Sequence, residues 1–167
     1  MLSLWHHAVI MMQPKRTKSG AALTRLILET FPFHGLLGAA GDELTRPWAL
    51  SSARWKVLGA IEESGRPLHV AQIARNMGLT RQAVQRIVND LVEQGLLAFN
   101  ENPDHQRARL VTLTPRGAQV LGEITEEQIQ WSNELAEGIS PKDLESAVHV
   151  LGTLRQRLEQ RNGKRRN

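Results

Sequence analysis

Residues 70–95 read VAQIARNMGLTRQAVQRIVNDLVEQG, and this stretch decides the fold. It holds two amphipathic helical patterns on either side of a tight turn at Gly78-Leu79-Thr80. Gly78 can adopt the left-handed conformation that ends a helix, and Thr80 can cap the next one. Ala74 is small where two helices must cross closely. The pattern predicts a helix-turn-helix, a motif whose second helix enters the major groove of DNA.

The second helix is expected to run from Arg81 to about Gln94, with one apolar and one polar face. Its first acidic side chains, Asp90 and Glu93, lie in its C-terminal half. Arginine can donate two hydrogen bonds to guanine, and glutamine can pair with adenine in a similar way. The alternative is an ordinary solvated face, but such faces usually mix glutamates with their basic residues. The residues predicted to read bases are Arg81, Gln82, Gln85 and Arg86, and Thr80 is predicted to position the helix and donate to phosphate.

The periodicity changes from helical to extended after Gly95. Residues 96–99 and 107–113 are typical of strands, and the residues between them are polar turn formers. Together they predict a β-hairpin with a polar tip and arginines beside it, which is a wing. Thr114-Pro115 is expected to begin another helix, with the threonine as its cap. The predicted wing contacts are Arg107 and Arg109.

Helical patterns flank this central region on both sides. Residues 21–46 predict a long helix, which Pro32 is expected to kink or split. A capped helix is expected at residues 51–63. Beyond Pro115, apolar residues recur at helical spacing in two further stretches, the second beginning near Pro141. The predicted fold is therefore mostly α-helical, with a small β-hairpin as a wing.

This order of elements resembles the MarR family of winged helix-turn-helix transcription regulators over residues 44–122. The text that carries the resemblance is LSSARWKVLGAIEESGRPLHVAQIARNMGLTRQAVQRIVNDLVEQGLLAFNENPDHQRARLVTLTPRG, residues 50–117. The positions that match the family pattern are Trp55, Val57, Leu58, Ile73, Ala74, Leu79, Thr80, Val84, Leu91, Gly95, Leu96, Val111, Leu113, Thr114 and Gly117.

The resemblance implies a homodimer in which each protomer presents a recognition helix and a wing to a pseudo-palindromic operator in double-stranded DNA. The C-terminal helices would then meet a second copy, although they could also form a bundle within one protomer. The predicted function is a transcription regulator, and specifically a repressor. The alternative is a winged-helix module for protein assembly, which would need an apolar outer face. The predicted organisation is a variable segment at 1–20, a dimerisation region at 21–50, a DNA-binding lobe at 51–115, dimerisation helices at 116–160 and a basic tail at 161–167.

The wing departs from the family pattern in one respect. Family members usually carry Asp-Arg-Arg, in which the aspartate braces an arginine that reaches DNA. The aligned residues here are His105-Gln106-Arg107, so the arginine is retained without its usual neighbours. Either Asp104 replaces the brace, or Arg109 takes over the contact with DNA.

The resemblance also implies a ligand cleft between the dimerisation helices and the DNA-binding lobe. A small aromatic or phenolic effector that releases the DNA is the expected ligand. Tryptophan and phenylalanine at such spacings are more often core residues, and Trp55 is assigned to the core. The residues predicted to line the cleft are Phe31, His34, Trp48 and Trp131.

The formal net charge of +4 is concentrated at the two ends of the chain. Residues 1–20 carry +3 and residues 155–167 carry +5, which leaves −4 on residues 21–154. DNA binding must therefore depend on where charges lie locally, not on the total. The basic tail is expected to add only weak attraction to phosphate or solubility.

Several classes of function are excluded by composition. The chain has no cysteine, which excludes disulfides, thiol nucleophiles and thiolate zinc sites. No apolar run approaches the length of about 18 residues that a membrane span needs, and no export signal is recognised, so we expect a cytoplasmic protein. The histidines lack metal-binding spacing, and no phosphate loop, nucleophile elbow or carboxylate pair occurs. We expect no enzyme activity, cofactor or metal.

Overall fold

The computed structural model describes residues 15–103 and 108–164 of the chain. The chain divides into two compact units, one ending at Ile124 and the other beginning at Thr125. The predicted fold class, a mostly α-helical winged helix-turn-helix, is confirmed. In chain order the described elements are α1 (Lys18–Thr45), a 3-10 turn (Arg46–Trp48), α2 (Ser52–Glu63), β1 (Leu68–His69), α3 (Val70–Met77), α4 (Arg81–Glu93), β2 (Leu97–Asn100), β3 (Leu110–Leu113), α5 (Pro115–Leu135) and α6 (Pro141–Lys164).

The sheet has three antiparallel strands in the order β1-β3-β2. Strands β2 and β3 form the predicted hairpin, with Phe99 opposite Val111. Strand β1 pairs with the other edge of β3. The hairpin tip, residues 104–107, lies outside the described residues, and so does the predicted wing contact Arg107.

Helix α4 is anchored by one apolar face. Val84, Val88 and Leu91 are fully buried, and Ile87 is half-buried beside them. This face packs against α2, α3 and β2. Full burial of a side chain of this size contributes about 1.5–3 kcal/mol relative to leaving it exposed. The polar side chains on the opposite face of α4 are therefore held at the surface.

The predicted turn and caps around α4 and α5 are confirmed. Gly78 has a φ of +66°, in the left-handed region that ends α3. The Thr80 hydroxyl accepts a hydrogen bond of 3.2 Å from the backbone N–H of Ala83 at the start of α4. Thr114 accepts one of 3.0 Å from the N–H of Gly117 at the start of α5. Such a cap is worth about 1 kcal/mol compared with alanine.

A close junction joins α1 to α2. Thr45 is fully buried, and its hydroxyl lies 2.8 Å from the carbonyl oxygen of Gly41 and 2.9 Å from that of Leu50. The Asp42 carboxylate accepts a hydrogen bond of 2.6 Å from the backbone N–H of Ser52. A Cβ at position 41 would lie 2.7 Å from the Cβ of Ser52, so a side chain there would force the helices apart. The long N-terminal helix is thus tied directly to the helix-turn-helix lobe.

Helix α1 continues through Pro32 from Lys18 to Thr45, so the split considered from the sequence does not occur. Proline has no N–H to donate to the carbonyl four residues earlier, which belongs to Leu28. Leu28 is exposed, so water can hydrate that carbonyl. One missing bond at an exposed position therefore does not end this helix.

The long helices expose many large apolar side chains. In the first unit they lie on α1, and in the second unit they lie mainly on α6. No helix within the described residues is both long enough and apolar enough to cross a membrane. The exposed apolar side chains on these two helices are Leu26, Ile27, Leu28, Phe31, Phe33 and Leu36 on α1, and Leu144, Val148, Val150, Leu151 and Leu158 on α6.

Gly117→Ala is expected to destabilise the protein. The added Cβ would overlap the carbonyl oxygen of Leu96, which is held in place by a hydrogen bond from the backbone N–H of Thr114. Overpacking of this kind costs about 1–3 kcal/mol. Thermal unfolding followed by circular dichroism measures the change.

Gly122→Ala is the matched control on the same helix. A Cβ at Gly122 meets no atom within 4 Å, and alanine is a better helix former than glycine. This variant should be as stable as the parent or slightly more stable. Equal melting temperatures for the two variants would contradict the close packing at Gly117.

Candidate nucleic-acid interface

The N-terminal half of α4 presents a polar face with no carboxylate. Arg81, Gln82 and Arg86 are exposed, and Gln85 is half-buried. Residues separated by three or four positions lie on one face of a helix, so these side chains are neighbours. Thr80 precedes them as the cap. The structure thus brings together the four predicted base-reading residues and the predicted positioning residue.

One of these side chains is oriented by its own helix. The Gln85 side-chain amide donates a hydrogen bond of 2.9 Å to the amide oxygen of Asn89, one turn later. This bond uses one of the two N–H groups of Gln85 and leaves the other N–H and the oxygen available. An amide with one donor and one acceptor free can still make the paired contact that adenine offers in the major groove.

The first acidic residue along α4, Asp90, is paired with a cation. The Asp90 carboxylate lies 2.8 Å from the Arg54 guanidinium, which joins α2 to α4. The side chains are 47% and 31% exposed, so solvent screens the pair and its contribution to stability is within about 0–1 kcal/mol. The pair also has a local effect, because Arg54 offsets the negative charge of Asp90, the first acidic residue of α4.

A groove of about 620 Å³ lies between α4 and the base of the wing. The predicted DNA contacts Arg81, Gln85 and Arg109 all line it, whereas Arg107 lies outside the described residues. None of the described lining residues carries a carboxylate. These residues are His69, Val70, Ala71, Arg81, Gln85, Asn89, Phe99, Ala108 and Arg109.

Two lining residues, His69 and Phe99, were not singled out by the sequence. His69 caps α3, since its Nδ1 accepts a 3.2 Å hydrogen bond from the N–H of Gln72 while the Gln72 side chain accepts one of 3.1 Å in return. The sequence signal for this cap is a glutamine three residues after the capping residue, although the capping residue is usually serine or threonine rather than histidine. The position of Phe99 depends on the hairpin register, which the sequence does not set.

The residues predicted to line a ligand cleft are distributed along the chain. Phe31 and His34 are exposed on α1, three residues apart. Trp48 is half-buried in the 3-10 turn, and Trp131 is half-buried in the second unit. Within residues 15–103 and 108–164, no group of three or more His, Asp or Glu side chains could hold a metal ion.

Trp48 has a specific polar partner. Its indole N–H donates a hydrogen bond of 2.7 Å to the carboxylate of Glu123. This bond, and a second from the side chain of Gln119, lower the pKa of Glu123. Trp48 also lines an open pocket of about 730 Å³ together with Arg116 and Val120.

Comparison with known proteins agrees with this geometry. Residues 50–108 match the sequence pattern of the MarR family. An uncharacterized protein of Mycobacterium tuberculosis and one of Mycobacterium bovis are each 40% identical to the chain over 124 residues, 74% of this chain and 85% of the relative. A MarR family transcriptional regulator from Silicibacter pomeroyi DSS superposes with a TM-score of 0.69 at 25% identity, over 84% of this chain and 93% of that one. The chain belongs to the MarR family.

Two further crystal structures show the same fold. The transcriptional regulator BldR from Sulfolobus solfataricus has a TM-score of 0.73 at 23% identity, over 84% of this chain and 99% of that one. A mutant MarR from E. coli, crystallised with operator DNA, has a TM-score of 0.64 at 21% identity, over 75% and 95% of the two chains. As a MarR family member, the protein is a DNA-binding transcription regulator and not an enzyme.

Trp48→Phe is expected to raise the pKa of Glu123 towards the ordinary value of a glutamate. The substitution removes the hydrogen bond that contributes most to lowering it. A lowered pKa in the folded state stabilises the protein above the ordinary pKa, and this stabilisation is lost as the pH falls through the lowered value. NMR titration of the Glu123 carboxyl carbon measures the shift.

Gln119→Leu is the comparison variant, because it removes the smaller contribution to the same carboxylate. Its effect on the pKa of Glu123 should have the same sign and a smaller size. An unchanged pKa in Trp48→Phe would show that the indole does not hold this carboxylate.

Proposed function

We propose that this MarR family protein is a sequence-specific repressor that binds a pseudo-palindromic operator in double-stranded DNA as a homodimer. The observation that carries the proposal is the polar face of α4, where Arg81, Gln82, Gln85 and Arg86 lie together without a carboxylate. These residue types distinguish guanine and adenine in the major groove. Thr80 would position the helix against the DNA backbone.

The wing supplies the second contact in this proposal. Arg109 is exposed at its base, beside the groove along α4. Arg107, by its sequence position nearer the tip, would reach the backbone or the minor groove. Contacts to phosphate fix the register of a protein on DNA, while contacts to base edges carry the sequence preference.

A module used only for protein assembly is less consistent with the same face. Assembly through α4 would need apolar side chains on its outer surface. The exposed residues of α4 are Arg81, Gln82, Arg86, Asn89 and Glu93, and all of them are polar. Leu79, in the turn before α4, is 44% exposed, but the other large exposed apolar side chains among the described residues lie on the long helices or in the turn between α5 and α6.

The proposed homodimer rests on those exposed helices. Leu36 on α1 is 70% exposed and Val148 on α6 is 72% exposed, and each lies among other exposed apolar residues. Extended apolar patches of this kind mark surfaces that are covered by a partner. The MarR of E. coli, which shares this fold, was crystallised with operator DNA, and operators that are pseudo-palindromic match a two-fold symmetric protein.

The last part of the proposal is release from DNA by a small aromatic ligand. Phe31 and His34 are exposed on α1, and the junction at Asp42 and Ser52 ties this helix to the DNA-binding lobe. Trp48 and Trp131 are the other proposed lining residues. Such a ligand would act by binding more tightly to a dimer whose recognition helices are wrongly spaced for the operator.

Arg86→Ala is expected to weaken binding to the tightest duplex selected from random sequences by about 1–3 kcal/mol, provided that Arg86 reads a base. Arg86→Lys should lose most of the same energy, because lysine keeps the charge but cannot make the paired contact. Fluorescence anisotropy with the selected duplex and a scrambled one measures both. The control Lys56→Ala removes an exposed charge from α2 and should bind like the parent. Full binding by both Arg86 variants would remove Arg86 from the interface.

Leu36→Asp and Val148→Asp are each expected to shift the protein from dimer to monomer, because a charge would be buried in the proposed interface. Sedimentation velocity measures the mass, and affinity for the selected duplex should fall with dimerisation. Gln156→Asp on α6 is the control, since it adds the same charge at an exposed polar position. A parent protein that sediments as a monomer while binding its duplex tightly would refute the dimer.

A further inference from the structure

The register of the hairpin places Phe99 and Arg109 on the same face of the wing. Phe99 lies directly opposite Val111 in the ladder, and Arg109 is two residues before Val111. Arg109 directly precedes β3, and alternate residues of an extended chain point to the same side, so its long side chain can reach a diagonal neighbour across the hairpin. Val111 is fully buried, so this is the face of the wing that looks towards the core and α4.

The two side chains are stacked. The Arg109 guanidinium carbon lies 4.2 Å from the centroid of the Phe99 ring. Phe99 is half-buried and packs against the core cluster, while Arg109 is exposed. The ring is therefore the anchored partner, and the guanidinium is the group that it holds. Stacking uses the flat face of the guanidinium and leaves its in-plane N–H groups free to donate.

The stacked arginine faces a surface that suits an anion. Arg109 and Arg81 both line the groove between the wing and α4, and Asn89 adds an amide. The nearby carboxylate of Asp90 is paired with Arg54. An oxygen-rich anion such as a phosphate group is the chemistry that these walls would recognise. The groove is open and runs beside the base-reading face, which favours a phosphate of the DNA backbone over a free anion.

We propose that Phe99 is a positioning residue, which holds the Arg109 guanidinium against the α4 side of the wing so that it donates hydrogen bonds to a backbone phosphate. The proposal rests on the DNA-binding function above and adds a brace to it. The ring fixes in advance a side chain that would otherwise lose its rotamer freedom on binding. Phe99 acts on DNA binding only through Arg109. Substitution of Phe99 should therefore have no effect on DNA binding once Arg109 is removed.

A double-mutant cycle with Phe99→Leu and Arg109→Gln tests the proposal. Fluorescence anisotropy would follow binding to a duplex of scrambled sequence over a series of KCl concentrations. Phe99→Leu should weaken binding about two- to fivefold in the parent, the size of an exposed cation–π contact. Arg109→Gln should weaken it further and lower the salt slope by about 1. In the Arg109→Gln background, Phe99→Leu should have no further effect.

Two conservative variants separate positioning from packing. Phe99→Trp keeps an aromatic face and should retain parent-like binding. Arg109→Lys keeps the charge without the planar group and should weaken DNA binding about two- to fivefold. Because position 109 is exposed, this substitution leaves the core intact, so the test remains possible if Phe99→Leu does not fold. The proposal is overturned if Phe99→Leu weakens binding equally with and without Arg109, or if Arg109→Lys binds like the parent.

Two further binding measurements complete the test. The first identifies the anion that the groove binds, and the second tests the proposed DNA-binding function independently of the role of Phe99. Replacing KCl by potassium phosphate at equal ionic strength should weaken DNA binding by the parent and by Arg109→Gln equally. A larger loss of DNA affinity in the parent would show that the groove binds free phosphate instead. The scrambled duplex reports contacts to phosphate whatever the sequence preference. A parent that binds its selected duplex no better than this one would refute sequence-specific regulation, while the cycle would still decide the role of Phe99.

Discussion

The structure depends on the burial of one face of α4. Val84, Val88 and Leu91 are fully buried against the neighbouring helices and the base of the hairpin. A helix anchored along one side must expose the other, and here the exposed side carries the arginines and glutamines of its first half. The apolar pattern that stabilises the lobe therefore also determines which side chains can reach DNA.

Contacts between elements fix that helix with respect to its surroundings. Thr80 sets where α4 begins, and the Arg54–Asp90 pair links it to α2. On the other side of α2, the bond from Ser52 to Asp42 links this lobe to α1. If α4 reads bases as proposed, its side chains must be positioned to within a fraction of an ångström, and these modest contacts would then matter more for DNA recognition than their individual energies indicate.

Much of this was predictable because it is encoded locally. The helix periodicity, the caps at Thr80 and Thr114 and the turn at Gly78 each depend on a few adjacent residues, and all three are found. The cap at His69 was also local but was missed, whereas two other missed features depend on residues that only the fold brings together. The Phe99–Arg109 stack requires the hairpin register, and the Trp48–Glu123 bond joins positions 75 residues apart. Helix α1 continues through Pro32, although proline removes one backbone hydrogen bond. The loss is tolerated because the affected carbonyl lies at an exposed position, where water can hydrate it.

The most direct test of the account is the affinity of the purified protein for DNA from its own upstream promoter, compared with a scrambled duplex of equal length across a salt series. A face that reads base edges predicts a preference of at least about a thousandfold at physiological salt, with part of the binding surviving as salt rises. Equal binding to both duplexes, with the same steep dependence on salt, would mean that only phosphates are contacted. That result would contradict the assignment of α4 as a recognition helix for this promoter.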